Sequence, residues 1–425
     1  MNSTLQVIPF SGTRHSRESG NPSLIVWIPD QVGNDVSTQF LEIHNDIRIK
    51  SNIQILDVIK IMPLKTEFTL LTFYKFVAIK NPEQEVKRHL IFCRDIGMKG
   101  RIYLGEEGIS ATVSCNKGQL QAYKAFLVSN AYFNDIEDID IKSSSVKSHA
   151  FEKMIVKYRP EIVSLGIKVD PKQVKKVYQK ISVDEFKNIV DSSDQNYEIL
   201  DMRNSYEYKL GHFKNSLPSG TVNFKEVKAL VKEYGKKFKN KKVVMYCTGG
   251  IRCEKLSVLL KNEGVDNFYS LDGGIVKYIN THNDGNWLGN LYTFDGLVST
   301  PVGDEKTHTK IGTCIYTGAS TDYIENCRYS PCNARIITTR KAYKQHLGFC
   351  SQECFDKGKK DLLIKPDFSL DKKDYKDIRS QIKLGKLKLE ETREGISRYL
   401  DNKLGKHSFN HKESQKEEYV DSCMI

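Results

Sequence analysis

Hydrophobic and polar positions divide this chain into stretches of different period. No sustained period runs through residues 1 to about 65. Pro, Gly, Ser, Asn and charged residues dominate Pro9 to Ser37, which reads as a disordered or poorly packed extension. Patterning starts near Glu67. Phe68-Thr69-Leu70-Leu71-Thr72-Phe73-Tyr74-Lys75-Phe76 has the content of a strand. Asn81-Pro82-Glu83 opens a helix, with Val86, Leu90, Ile91 and Ile96 at helical spacing. Gly100 to Leu104 reads as a second strand, and Gly105 to Ile109 turns into a third over Ser110 to Ser114. Gln119 to Ser129 is a second helix and Asp138 to Ser143 a further strand.

Strand–helix–strand–strand–helix–strand is the split βαβ order of a ferredoxin-like (acylphosphatase-like) domain, expected over 66–170. Its last part, His149 to Asp170, carries Lys153, Lys157, Arg159 and Lys168 among apolar residues. That pattern suits either a solvated strand edge or contact with phosphates. From about Ile181 to Asn283 strands alternate with helices, which implies an α/β domain with a mostly parallel sheet. Ser182 N-caps one helix, Tyr197 to Asp201 is a strand, and Lys225 to Tyr234 is helical. Val243 to Tyr246 is a buried strand, followed by a helix over Glu254 to Glu263 and by Phe268 to Ile275. Tyr292 to Asp295 reads as an exposed strand. Residues 287–360 form a cysteine-rich region, and 361–425 a basic, helical and then disordered tail, with a solvated helix face over Leu384 to Arg398.

The 425 residues suffice for two or three domains with ordinary cores, and 39% hydrophobic with 28% charged residues fits a globular chain. A net charge of +12 favours an anionic partner, nucleic acid first. No apolar run is long enough to span a bilayer, so no membrane partner is expected. Nothing resembles a secretory signal, so the ten cysteines are expected to stay reduced, in the cytoplasm.

One stretch carries chemistry: Tyr246-Cys247-Thr248-Gly249-Gly250-Ile251-Arg252-Cys253. Cys247 ends a strand, two glycines allow a tight curl of N–H groups, and a helix N-terminus and Arg252 add positive charge. A thiol held there is expected to be ionised and nucleophilic. Four residues separate Cys247 from Arg252. Phosphatase loops of this kind have one more, and the shorter ring suits a single sulfur or oxygen atom on the cysteine. This is the loop of rhodaneses, which the whole segment 181–283 resembles.

Three stretches agree on a closer resemblance: Gly100-Arg101-Ile102 with Gly105-Glu106-Glu107-Gly108-Ile109, then Cys247 to Lys255, then Leu271-Asp272-Gly273-Gly274-Ile275. Together they resemble the rhodanese-domain tRNA uridine(34) hydroxylases over roughly residues 67 to 355. The resemblance implies an α+β and α/β multidomain chain: a ferredoxin-like domain, a rhodanese domain and a small cysteine-rich C-terminal region. It implies a tRNA anticodon-loop substrate, whose wobble uridine becomes 5-hydroxyuridine with molecular oxygen as co-substrate. Cys247 is then the active-site cysteine with Arg252, in a loop of Thr248, Gly249, Gly250 and Ile251. Asp201 and Arg203 match a rhodanese element with a supporting role. Cys253 starts the helix and is expected to point away from the cradle as a small core residue; as a function it would resolve an oxidised Cys247.

Members of that family carry further cysteines where this chain has Thr317, Thr321, Thr339 and Ala342. Cys314 is then the remnant of an abandoned metal site, and Cys327, Cys332, Cys350 and Cys354 a four-thiolate site suited to zinc. Reduced core thiols are the alternative, and His346 a substitute ligand or an exposed polar residue. No Rossmann fingerprint or His-plus-carboxylate set is visible, so the electron donor is unassigned. The competing activity is a sulfurtransferase carrying a persulfide on Cys247, and the competing non-enzymatic role a binding module.

Overall fold

The computed structural model describes residues 68–365, apart from 136–140, 147, 193, 284, 295–297, 304–307 and 362, together with two short strands nearer the start. The chain divides into two compact units, Met1–Lys65 and Thr66–Ile425. In the first, Leu24–Ile25 pairs antiparallel with Glu42–Ile43. The remainder of the expected extension, and the helical tail beyond Lys365, lie outside the described residues.

The second unit opens with β1 (Phe68–Phe76), α1 (Pro82–Asp95), β2 (Lys99–Gly105), β3 (Gly108–Asn116), α2 (Lys117–Val128), β4 (Lys142–Val146) and β5 (Met154–Tyr158). The sheet order β4-β1-β3-β2-β5 is the ferredoxin-like arrangement with one added edge strand, β5, parallel to β2. Both helices cover one face, where Phe73, Ile102, Ala111 and Val113 form the core with Tyr123 and Leu127. Among the described residues, the opposite face carries no helix of this domain.

Two details differ from the hydrophobic pattern. Helix α1 turns Glu85, His89 and Cys93 fully inward, while Ile91 is 62% exposed. His89 packs edge-on against Phe126 at 4.9 Å, and Glu85 accepts a hydrogen bond from Asn130 Nδ2 at 2.6 Å. A ring packed on Phe126 and a carboxylate bonded to Asn130 have displaced an apolar side chain from the buried stripe. Among the described residues the last strand of the split motif is Lys142–Val146; of the expected Asp138 to Ser143, the first three residues lie outside them, and the strand runs on past Ser143. Its three serines have little strand preference of their own; pairing with β1, Thr72 opposite Lys142 and Phe68 opposite Val146, selects them.

After α3 (Pro171–Val177), the next domain runs β6 (Lys180–Ile181), α4 (Val183–Ser192), β7 (Tyr197–Asp201), α5 (Ser205–Leu210), β8 (Gly211–Phe213), β9 (Leu217–Pro218), α6 (Val227–Lys237), β10 (Lys242–Tyr246), α7 (Ile251–Asn262), β11 (Phe268–Leu271) and α8 (Gly274–His282). Its parallel sheet has the order β9-β7-β10-β11-β6. Central β10 is buried from Val243 to Tyr246, and Cys247 leaves its carboxyl end. Helix α7 begins at Ile251, three residues before the expected Glu254, so the glycine turn leads straight into its first turn.

Then come β12 (Trp287–Tyr292), β13 (Ser299–Pro301), β14 (Ile324–Asn326), β15 (Arg335–Ile337), α9 (Arg340–Gln345) and α10 (Gln352–Asp361). The exposed strand expected over Tyr292 to Asp295 is absent from the described residues there. The strand ends at Tyr292, which is 1% exposed, and Trp287 at its start packs on Phe213 at 5.0 Å. Among the described residues of the expected stretch, Phe294, past the strand's end, is the exposed one.

The first two domains are joined by ions. Lys255 of α7 is fully buried, and its Nζ donates to Glu107 Oε1 at 2.9 Å, Glu161 Oε2 at 2.6 Å and the Val163 carbonyl at 3.1 Å. Glu107 sits in the β2–β3 turn and also accepts from the Ile162 N–H at 2.8 Å. Removing one partner of a buried pair strands the other charge, which costs about 3–5 kcal/mol. Lys255→Ala is therefore expected to lower the urea midpoint of the cooperative transition by an amount equivalent to about 3 kcal/mol or more. Wild-type stability in equilibrium unfolding would show that the cluster does not hold the domains together.

Candidate active site

Cys247 lies at the floor of a cleft, only 1% exposed. The cradle around its sulfur is backbone. The Gly250 N–H donates to Sγ at 3.1 Å, and the Arg252 and Cys253 N–H groups also bond to the sulfur. Gly250 makes this curl with φ +102°, and a Cβ there would stand 2.7 Å from the Tyr74 hydroxyl. The Leu271-Asp272-Gly273-Gly274-Ile275 turn backs the cradle from behind. Ile275 N–H donates to the Cys247 carbonyl at 3.0 Å and Val276 N–H to that of Thr248 at 3.1 Å. Gly274 (φ +66°) permits this approach, since a Cβ would meet the Cys247 carbonyl at 2.5 Å.

Burial alone would push the Cys247 thiol up. The Cys253 thiol bonding to it, the Arg252 charge and the two backbone N–H groups outweigh that and bring it down to about 5. Cys253 thus does not point away from the cradle. Its thiol faces Cys247 and is itself pushed well up, by burial first and then by that bond. The helix starting at Ile251 explains this: it rotates position 253 toward the sulfur.

Arg252 is aimed by a residue whose role the motif does not announce. Its Nη1 and Nη2 donate to Glu207 Oε2 at 2.6 Å and Oε1 at 2.9 Å, and Nη2 also reaches Thr248 Oγ1 at 3.1 Å. Glu207 is fully buried; burial raises its carboxyl, and Arg252 nevertheless holds it below the usual value. The only sequence signal for it was Asn204 three residues earlier, the capping pair of α5. Arg203, fully buried, forks onto Asp201 (Nη2 to Oδ2 2.6 Å) and donates to the Gly211 carbonyl at 2.5 Å. It ties the end of β7 to β8, away from the reacting sulfur.

The first domain enters the site directly. Tyr74 of β1 donates to Glu254 Oε2 at 2.8 Å, and Lys142 of β4 donates to the Gly249 carbonyl at 3.1 Å. The cleft between them measures about 690 Å³, within the range that encloses small ligands. Its walls come from the sheet of the first domain (Thr72, Tyr74, Arg101, Tyr103), the cradle (Cys247 to Gly249, Ile251, Arg252), and the cysteine-rich region (Cys332 to Arg335).

The four candidate metal ligands converge. Sulfur atoms of Cys327, Cys332, Cys350 and Cys354 all lie within 4.8 Å of one another, and none of the four is in a disulfide. Cys332 and Cys350 are 3.7 Å apart, and Cys350 and Cys354 are 3.4 Å apart. Tetrahedral zinc with bonds of about 2.3 Å places its sulfurs about 3.8 Å apart, so the donor set fits. The Cys332 thiol beside it raises Cys327, the response of crowded thiols that a cation would reverse. His346 is not in this group and stacks on Tyr316 at 4.0 Å. Cys314 stands apart, with Thr338 Oγ1 at 3.6 Å and bonds from the Thr317 side chain and the Thr339 backbone. Two of the threonines singled out in the sequence thus surround it. Thr321 bonds the Thr338 carbonyl instead, and Ala342 receives the cap of α9 from Thr339.

Three family models match in order: the UPF0176 acylphosphatase like domain over 68–162, the Rhodanese-like domain over 182–281, and the Rhodanase C-terminal model over 288–355. A tRNA uridine(34) hydroxylase of Bacillus licheniformis is 37% identical over 295 residues, 68% of this chain and 89% of the relative. The chain belongs to the tRNA uridine(34) hydroxylase family. Hydroxylases of the same name from Oceanobacillus iheyensis (35% identical, 69% of this chain, 90% of the relative) and Staphylococcus carnosus (34%, 72% and 96%) agree. In the family's domain order, the matched segments are the three that wall the cleft. Among the described residues, no helix is long and apolar enough to cross a membrane.

The thiolate, not the thiol, reacts with alkylating agents. Iodoacetamide modification of Cys247 is therefore expected to be half-maximal near pH 5, full above it and lost below it. Arg252→Ala should move that midpoint upward. A midpoint near the ordinary thiol value in the wild type would show that the cradle does not ionise its cysteine.

Proposed function

We propose that this chain hydroxylates carbon 5 of the wobble uridine, position 34, in the anticodon loop of tRNA, with molecular oxygen as co-substrate and Cys247 as nucleophile. The observation that carries the reading is a cysteine sulfur cradled by backbone N–H groups beside Arg252, which together favour its ionised form, at the floor of a nucleotide-sized cleft. The family's named activity supplies the reaction class. A wobble base is single-stranded and enters such a cleft at little unpairing cost.

Cys247 thiolate adds to carbon 6 of the uracil ring, and the π pair of the 5,6 bond moves toward carbon 5 and the carbonyl at carbon 4. Carbon 5 is then nucleophilic enough to take one oxygen atom from dioxygen. The other oxygen leaves as water, with two electrons and two protons from an external reductant. Loss of the carbon 5 proton expels Cys247 and restores the ring. Thr248, Gly249, Gly250 and Ile251 form the loop that holds the sulfur. Arg252 and the loop N–H groups stabilise the charge as it leaves and returns. Cys327, Cys332, Cys350 and Cys354 would hold zinc, whose bonds to the four sulfurs would fix the wall formed by Cys332 to Arg335. Reduced thiols and a tRNA substrate fit work in the cytoplasm.

Nucleoside mass spectrometry of tRNA from cells carrying wild type, a deletion or Cys247→Ser tests the activity. Derivatives of 5-hydroxyuridine are expected to vanish in both altered strains, and Arg252→Ala to lower the purified enzyme's rate about 10²–10³-fold. Persistence of those nucleosides while a thiolated one falls would identify a sulfurtransferase. A 5-fluorouridine substrate should trap a covalent adduct; turnover of that RNA without one would remove Cys247 addition from the mechanism. For the metal, denatured protein is expected to release one zinc per chain to a chromogenic chelator, and Cys350→Ala none. Metal-free wild type with four titratable thiols at this site would make them plain core cysteines.

A further inference from the structure

The helix-free face of the first sheet is the cleft's second wall, and its chemistry is uneven. Alternation along β1, β2 and β3 sends Phe73, Ile102 and Ala111 to the core, and Tyr74, Arg101, Tyr103 and Thr112 toward the cleft. Arg101 is exposed and its guanidinium lies 5.6 Å from the Phe151 ring; that of Arg159, on the strand edge, lies 5.5 Å from the Tyr103 ring. Tyr74 is held by its hydroxyl bond to Glu254. Among the described residues, those lining the cleft include five basic side chains (Arg101, Lys209, Lys225, Arg252 and Arg335) and not one carboxylate.

Planar rings and guanidinium groups, small hydroxyls and one sign of charge make a stacking surface for single-stranded nucleic acid. We infer that this sheet face binds the nucleotides flanking the reacting base: Tyr103 stacks a neighbouring base and Arg101 meets the phosphate beside it. The inference rests on the tRNA reading given above. It makes the first domain the substrate ruler for the second. The reacting base descends to Cys247 while its neighbours stay on the sheet.

The test is binding of a synthetic tRNA anticodon stem-loop to the full chain, measured by fluorescence anisotropy over a salt series. Cys247 alkylation at neutral pH reports on the cradle in each variant. Tyr103→Ala is expected to weaken binding about tenfold, and Tyr103→Phe less than about twofold. Arg101→Ala should reduce the slope of log affinity against log salt by about one. Alkylation should stay at the wild-type rate in all three. Wild-type affinity and slope in both alanine variants would overturn the inference while leaving the tRNA reading intact. If wild type itself does not bind the stem-loop, the tRNA reading fails and takes the inference with it. Should Tyr103→Ala not fold, Arg101→Ala decides, because that side chain is exposed and its loss leaves no buried gap.

Discussion

A negative charge buried on one sulfur is the constraint around which the second unit is arranged. An ionised thiol out of water is unstable unless its surroundings supply positive partial charge from several directions. Here the supply is backbone N–H groups, one thiol and one guanidinium. Each needs support of its own. Arg252 would be an unpaired buried cation without Glu207, and Glu207 is fixed because it also caps the helix that begins after Asn204. The cradle N–H groups point inward only because α8 takes up the carbonyls on the outer side of the same turn. The nucleophile is thus the innermost layer of a nested set of polar contacts, and removing an outer layer unsettles those within.

The ion cluster at Lys255 gives a physical reason for two distant stretches of sequence to occur together. The Glu106-Glu107 turn belongs to the first domain, and Cys253-Glu254-Lys255 to the second. Glu107 bonds Lys255 and Tyr74 bonds Glu254, so the helix that carries the cradle is gripped from the first sheet on adjacent residues. A rhodanese loop alone would need neither contact. A half-buried carboxylate and a buried lysine following the reactive turn, each bonded to the first domain, mark a domain that works against a fixed partner.

Much of this architecture was legible because it rests on local rules. Strand β7 and the strand into Cys247 read directly from short apolar runs, and the glycine pairs marked both turns at the site. What was not legible depended on partners far along the chain. Ile91 had the right spacing to be buried, but His89 and Glu85 found partners in α2 and just past it and took the inner face. The serines of β4 have no periodic signal and become a strand through β1. Cys253 could be aimed only after the helix start was known, and that start depended on a left-handed Gly250. Glu207 read as one more polar residue, since nothing nearby shows that Arg252, on another helix, would need it. The four cysteines lie close as the sequence suggested, because two short loops and α10 bring separate pairs to one point.

The grip of Glu107 and Glu161 on Lys255 has a mechanical consequence. It ties the sheet wall to the helix behind the cradle, so swinging these two sides of the cleft apart would break a buried ion cluster. A vessel with rigid sides cannot shut over its contents in the way a hinged enzyme does. Water must then be driven from the sulfur by whatever enters, and only a guest broad enough to cover the mouth while a thin part reaches the floor can do so. The stopper is the substrate itself.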